Sequence, residues 1–358
     1  MSAGSAPACP NLNDSIASLL RLHVPGQDAS ADLADACLKR YECGGYLYRR
    51  WQSEGRWHLL PPGWAGALAR AHRKTALDNL QALAEFRVVG RHLVEEGVPF
   101  LLLKGGAYLI DLYDDPGERM LTDIDLLVRR ADVGRLARRL SSAGFERVFS
   151  DEEYRRFEVA AQAPNGCHFE FHWWLGLPLR VRISQEEVWS RAVPAVLEGV
   201  VGRRLAPEDA LLYHVAHQAD HYFGPSLKWT IDLLEMMRRW RPDPDGLLRR
   251  AADWRLRTAL YLALRHLEKL FPGSAPRALV DRVAPGALRM SLLRPFLATD
   301  PLCVLTTHDG LAARYAMRCL MIDRPIDALR QALRVLARPV TRRLGGGSRS
   351  DPSRERSD

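Results

Sequence analysis

A chain of 358 residues with 47% apolar content has enough hydrophobic surface for one core with helical additions or for two modest domains, which excludes a wholly disordered protein. Its 51 Lys and Arg against 43 Asp and Glu leave a formal charge of +8. That balance favours anionic partners, nucleotides and nucleic acid among them, although a solvated arginine-rich surface produces the same excess.

The six cysteines, at 9, 37, 43, 167, 303 and 319, form no CxxC pair and read as reduced thiols, not as a disulfide framework. No basic-then-apolar leader opens the chain and no window approaches about 18 uninterrupted apolar residues, so a cytoplasmic protein without a membrane partner is expected.

In chain order, residues 1–15 are small and polar and read as disordered. Residues 31–50 (ADLADACLKRYECGGYLYRR) and 62–97 repeat apolar side chains every three or four positions, the second stretch opening with Pro and closing with Gly. Residues 16–97 are therefore predicted to be a helical segment. The period changes at 98, where VPFLLLKG is a short apolar run of the kind that forms a buried strand, followed by a helix over 106–113. MLTDIDLLV is a second strand, ADVGRLARRLSSAG an amphipathic helix ended by Gly144, and FERVF a third strand. RFEVAAQA and CHFEFHWW flank PNG, a strong hairpin signal. The 98–205 core is then mixed α/β, 206–340 is helical, and 341–358 is a basic tail too poor in apolar residues to fold. The expected class is α+β, a mixed sheet with helical segments before and after it.

The informative motif is TDIDLLV. Alternate residues of a strand share a face, so Asp123, Asp125 and Leu127 fall on one side and Ile124, Leu126 and Val128 on the other. Two carboxylates about 6–7 Å apart in a poorly solvated site repel unless a proton or a cation intervenes. An acid-x-acid triplet alone is weak, since chance yields roughly five in a chain of this composition. Its position inside an apolar strand pattern downstream of LLLKGG supplies the specificity. In HFEFHWW, His168, Glu170 and His172 share one face while Phe169 and Phe171 share the other. Two acids from one strand and a third from a neighbour make an oxygen-rich pocket suited to Mg²⁺, with Mn²⁺ as the alternative, bound together with a nucleotide.

Gly-Gly, a spacer, DID and FEF together resemble the nucleotidyltransferase superfamily related to DNA polymerase beta. More narrowly, LKGGAYLIDLYDDPGERMLTDIDLLV, FEFHWWL and LAPEDALLYHVAHQADHYFGPSLKWTIDLLEM resemble the bacterial uncharacterised nucleotidyltransferase family over about residues 80–240. The resemblance implies a polymerase-beta-like core in which Asp123 and Asp125 ligate two Mg²⁺ ions. Glu170 would complete the metal site and help to deprotonate the acceptor hydroxyl. Gly105 and Gly106 would bring backbone N–H groups to the triphosphate at a helix start, as glycine and the helix dipole allow.

Sixteen residues separate Gly106 from Asp123, more than is usual in the superfamily, and the insertion YDDPGER supplies the excess. Asp114 and Asp115 then either join the site or solvate the turn, the turn being preferred.

Lys104 and Arg119 are candidates to neutralise the triphosphate, or are simply solvated loop cations. Lys228 is a candidate phosphate ligand, with an intrahelical ion pair to Asp232 the preferred bland reading. His214, His217 and His221 lie on roughly one helix face, where a polar interface is preferred over a zinc site because no HExxH glutamate or cysteine accompanies them. His172 reads as orienting Glu170 or the acceptor in preference to binding metal, and Trp173, Trp174 and Trp229 as core or subdomain contacts in preference to a base-stacking platform.

The function these features point to is transfer of a nucleoside monophosphate from NTP to an acceptor hydroxyl or phosphate on a small molecule, a peptide or protein, or RNA. A catalytically degenerate nucleotide- or RNA-binding module of the same fold is the alternative. A metal-dependent hydrolase centred on the histidine helix is a third class. Base preference, acceptor and oligomeric state are not readable.

Overall fold

The computed structural model describes residues 10–25, 31–148, 157–176, 180–224, 226–298 and 311–333. Four helices come first: α1 (Pro10–Leu20), α2 (Ala31–Tyr41), α3 (Gly44–Ser53) and α4 (Pro62–Glu95). Residues 10–15, expected to be disordered, are thus the opening turns of α1, while the 341–358 tail lies outside the described residues. The periodic stretch 31–50 is two helices, not one, with the chain turning at Glu42 (φ 53°). Gly44, the first residue of α3, lets that helix pack closely on α4, since a Cβ there would lie 2.5 Å from Ala71 Cβ.

α4 is 34 residues long, about 50 Å at the usual helical rise. Proline at its start has no amide to satisfy, and Gly97 (φ 59°) ends it, with Val98 N–H donating to Leu93 C=O at 2.8 Å as in a Schellman cap. One stripe, including Trp64, Leu68, Leu83, Phe86, Val89 and Leu93, is buried. Gly90 faces β7 so closely that a Cβ would meet Val200 Cγ2 at 2.6 Å.

The middle of the chain supplies β1 (Phe100–Leu102), α5 (Lys104–Asp111), β2 (Ile124–Val128), α6 (Arg130–Ser142), β3 (Glu146–Val148), β4 (Glu158–Gln162), β5 (His168–His172), α7 (Gln185–Arg191), β6 (Val193–Leu197) and β7 (Val200–Arg204). They form one seven-stranded sheet in the order β3-β4-β5-β2-β1-β7-β6. β1 and β2 are central strands and every residue in them is buried, which is why β1 reads as a continuous apolar run and β2 as one interrupted only by Asp125. β2 pairs antiparallel with β1 and parallel with β5, and β1 pairs parallel with β7. The sheet is therefore mixed, as expected.

The predicted hairpin over PNG is the β4–β5 connection. Its loop, Pro164 to Gly166, ends with Gly166 at φ 93°, the left-handed position a three-residue loop requires. A second hairpin, β6–β7, turns on Glu198 (φ 51°) and Gly199 (φ 76°), the pair of positive φ values typical of a two-residue turn. α5 starts at Lys104, two residues earlier than expected.

The remainder is helical: α8 (Pro207–Asp220), α9 (Leu227–Glu235) continued by a π-helical turn to Trp240, α10 (Pro244–Asp253), α11 (Arg257–Leu270), α12 (Arg277–Val283), α13 (Ala287–Ala298) and α14 (Leu311–Met321). α8 is buried over most of its circumference, because α9, α10, α11 and α14 all pack on it. Among the described residues no helix is long and apolar enough to cross a membrane.

Candidate active site

Strand alternation and parallel register together set the site. Asp125 and Glu170 are direct partners across β2 and β5, and two positions further along Leu127 faces His172. Their neighbours Phe169 and Phe171 point to the opposite face and are fully buried, which locks the register. On the β4 side, Glu158 stands opposite His172 in the antiparallel hairpin. The sheet therefore presents Asp125, Glu170, His172 and Glu158 as one cluster, with Asp123 in the turn just before β2. These residues line one wall of a cleft of about 450 Å³, and α5, α8 and α9 supply the other walls.

Asp125 is 1% exposed, and its Oδ1 accepts from both Lys104 Nζ at 2.7 Å and His172 Nε2 at 2.8 Å. Burial disfavours its charge, but the Lys104 ammonium and the His172 bond outweigh that and hold the carboxyl well below the usual range. His172 Nδ1 meets Glu158 Oε2 at 3.0 Å, so the ring is held between two carboxylates, and Glu170 Oε2 lies 3.4 Å from Nε2. Burial favours a neutral ring, yet the surrounding acids raise its pKa well above the ordinary value. Glu170, unlike Asp125, is shifted upward: burial, reinforced by the Asp125 charge, raises its pKa. Asp123 is half-buried and its Oδ1 accepts from Thr122 Oγ1 at 2.9 Å.

The donor set fits a hard divalent cation. One ligand atom each from Asp125, Glu170 and His172 lie within 4.8 Å of one another, and Asp123 adds a further carboxylate to the same cleft. Both bonds to the Asp125 side chain among the described residues fall on Oδ1. The histidines of α8 do not take part in a metal-capable cluster among the described residues.

The remaining sequence candidates are distributed as follows. Lys104 sits on Asp125, as described. A Cβ on Gly105 would lie 2.3 Å from Arg119 Nη1 and 2.6 Å from Leu121 Cδ2, so glycine is needed there to let the 119–121 segment pack on α5; Gly106 would meet only ordinary contacts. Arg119, expected as a loop cation, is 7% exposed and makes a two-pronged bond to Asp232, Nε to Oδ1 and Nη2 to Oδ2, both at 3.0 Å. Tyr113 Oη donates to the same carboxylate at 2.6 Å. Lys228 therefore does not pair with Asp232; its Nζ lies 3.3 Å from Glu42 Oε2, and Asp232 is taken by an arginine that the sequence pattern did not connect to it.

Asp115 serves the turn, accepting from Gly117 N–H at 2.7 Å, and Asp114 makes a two-pronged bond to Arg239, both arms at 2.8 Å. The core reading of the tryptophans is corrected for two of them: Trp174, 41% exposed, and Trp229 line the cleft.

Three residues were not foreseen. Glu158 could have been found by pairing the two arms of the PNG hairpin, which sets it opposite His172. Tyr213 lines the cleft from α8, one of several buried residues that helix periodicity does not rank. Asn79, wholly buried on α4, donates from Nδ2 to Pro116 C=O at 2.6 Å and Arg119 C=O at 2.7 Å and accepts from Leu121 N–H at 2.9 Å. It clamps the segment that leads into Asp123, and no local sequence signal marks it.

Among solved structures, the crystal structure of ANT(2″)-Ia in complex with adenylyl-2″-tobramycin is similar at 14% identity and a TM-score of 0.35, covering 48% of this chain and 95% of that one. The solution structure of the antibiotic-resistance factor ANT(2″)-Ia aligns at 15% identity and a TM-score of 0.36 over 53% of this chain and 98% of that one. A crystal structure of an antigenic nucleotidyltransferase-like protein from Paracoccidioides brasiliensis aligns at 17% identity and a TM-score of 0.30 over 44% and 75% of the two chains. No curated protein matches the chain in sequence. The family described as "Uncharacterised nucleotidyltransferase" matches residues 27–272, most of the chain and all of the cleft, and to that family the chain belongs.

Proposed function

We propose that the enzyme transfers a nucleoside monophosphate from an NTP to an acceptor hydroxyl or phosphate in a Mg²⁺- or Mn²⁺-dependent reaction that releases pyrophosphate. The observation that carries this reading is the in-register pairing of Asp125 with Glu170 on adjacent parallel strands, in a cleft that also holds Asp123. Divalent cations held by Asp123, Asp125 and Glu170 would neutralise the triphosphate and stabilise the attacking and leaving oxygens of an in-line displacement.

The chain's own groups divide the remaining work. Glu170, with a pKa raised by burial, takes the proton of the acceptor hydroxyl as the new O–P bond forms at the α-phosphate and the bond to pyrophosphate breaks. His172, pinned by Glu158, holds Asp125 in one orientation. Lys104 leads the helix whose first amides face the triphosphate, and its ammonium offsets phosphate charge. Arg119 and Lys228 line the same cleft but are already engaged by Asp232 and Glu42, which suits them to shape the nucleotide site electrostatically more than to grip it directly.

The test uses Glu170→Gln. Mg²⁺-NTP binding by calorimetry should stay close to wild type while pyrophosphate release, measured with an acceptor pool from cell extract, falls about 10²- to 10⁴-fold. Unchanged release would remove Glu170 from the chemistry, and parallel loss of binding and release would make it a builder of the nucleotide site. Labelled NTP in the same assay identifies the acceptor.

A further inference from the structure

The helical wall of the cleft carries side chains that the transfer chemistry leaves unused. His217 and His221, one turn apart at the end of α8, have ring centroids 4.5 Å apart, and the Trp229 indole from α9 lies 5.1 Å from the first and 5.2 Å from the second. All three line the cleft; His221 is exposed and the other two are half-buried. Burial, helped by nearby Lys104, pushes His217 well below its ordinary pKa, and burial also lowers His221, so both rings are neutral at physiological pH. A cluster of three flat, uncharged rings at a solvent-filled cleft is suited to a planar aromatic group.

We propose that this cluster is the platform on which the nucleobase of the NTP stacks. The inference rests on the nucleotidyltransfer reading above and adds to it the place of the base. Its position favours the base over the acceptor. His214, one turn before His217, accepts at Nδ1 from Tyr108 Oη at 3.2 Å, and Tyr108 belongs to α5, the helix that begins at Lys104 and Gly105. The Arg119 guanidinium lies over the Tyr108 ring at 5.4 Å, and Lys228 directly precedes Trp229. The platform is thus continuous with the cationic, phosphate-facing side of the cleft. The acceptor must instead approach Glu170 on β5, where Trp174 and Glu158 flank it.

His214 also fixes the platform from behind, donating from Nε2 to Trp229 C=O at 2.7 Å and so holding α9 against α8. The backbone of Trp229 is thus held in place before a ligand arrives, which lowers the ordering cost of stacking on its ring.

The test compares ligands with and without a base on the full-length protein. Each NTP and inorganic tripolyphosphate are titrated calorimetrically with Mg²⁺ into wild type, His221→Ala and Trp229→Leu, with melting curves for each. The expected result is that the best-bound NTP weakens by about tenfold in both variants while tripolyphosphate affinity is unchanged, in line with the usual strength of base–aromatic stacking. Equal weakening of NTP and tripolyphosphate, or no weakening of either, overturns the platform. So does a wild type that binds tripolyphosphate as tightly as every NTP. Should Trp229→Leu fail to fold, His221→Ala decides alone, its ring being the exposed one. A wild type that binds neither NTP nor tripolyphosphate overturns the transferase reading itself and the platform with it.

Discussion

The two walls of the cleft are built on different principles. The sheet wall is a charge lattice: Lys104, reaching in from α5, meets Asp125 at 2.7 Å, Asp125 meets His172 at 2.8 Å, and His172 meets Glu158 at 3.0 Å and Glu170 at 3.4 Å. The helical wall is a set of neutral rings held by packing and by one imidazole–carbonyl bond. Strands position the first because a period of two places every second side chain on one face at a fixed spacing. Helices suit the second, since residues three and four apart bring rings together on one surface. Replacing a residue bonded into the lattice should therefore cost chemistry and stability together, whereas replacing the exposed His221 ring of the helical wall should cost recognition alone.

The largest effects should come from the paired aspartates, which the structure separates. Asp123→Asn and Asp125→Asn should both reduce product formation to background, as loss of a metal-binding carboxylate does. Their melting curves should differ. Among the described residues Asp123 bonds only to the neighbouring Thr122 hydroxyl, so its variant should melt like wild type. Asp125→Asn leaves the half-buried Lys104 and the buried His172 without the negative charge they share and should lose about 3 kcal/mol. Equal melting of the two variants would break the picture of a lattice.

Lys104 gives a smaller, opposite effect on one observable. Its ammonium sits 2.7 Å from Asp125 Oδ1, where it competes with any cation for the same charge. Lys104→Met should tighten nucleotide-free Mn²⁺ binding about tenfold, the scale of one unit charge near contact at a partly solvated site, while weakening Mn²⁺-NTP turnover. Titration of nucleotide-free protein with Mn²⁺ checks this, and an unchanged affinity would mean that Lys104 does not guard the carboxylates.

The smallest effect on chemistry should come from Asn79, which touches neither wall. Asn79→Ala strands two carbonyls and one amide in the interior and should cost about 2 kcal/mol of stability. Because these groups lie in the segment that enters Asp123, a few-fold rise in the Mg²⁺ concentration for half-maximal rate should accompany it. A stability loss with an unchanged Mg²⁺ requirement would make Asn79 purely a structural clamp.

What could be read from the sequence follows the reach of the interactions. Asp125, Glu170 and the buried phenylalanines between them were legible because strand alternation is local and Asn165-Gly166 marks where the chain reverses. The β6–β7 hairpin, also local, was missed because its Glu198-Gly199 turn is a weaker signal than Asn-Gly. Arg119 and Asp232 are 113 residues apart, and nothing in either neighbourhood names the other. Lys228 was assigned the partner at helical spacing, Asp232, and found Glu42 instead, since a burial site and not a spacing chose its counter-ion. Of the three histidines expected on one helix, His214 and His217 lie on α8 and His221 caps its end, and only tertiary packing shows that His214 bonds Tyr108 while His217 and His221 cluster with Trp229.

The Arg119–Asp232 bond also sets an order of events during synthesis. Asn79 is translated early and can hold the 116–121 segment as soon as that segment emerges, 42 residues spanning the Asn79–Leu121 bond. The guanidinium of Arg119 has no carboxylate to receive it until α9 has left the ribosome, 113 residues after its own appearance. A nascent chain that ends with β7 already contains Asp123, Asp125 and Glu170 but lacks both the acid that buries Arg119 and the rings of the opposite wall. A chain cut short before α9 would therefore carry the acidic wall without Asp232 to receive Arg119 and without the Trp229 ring opposite.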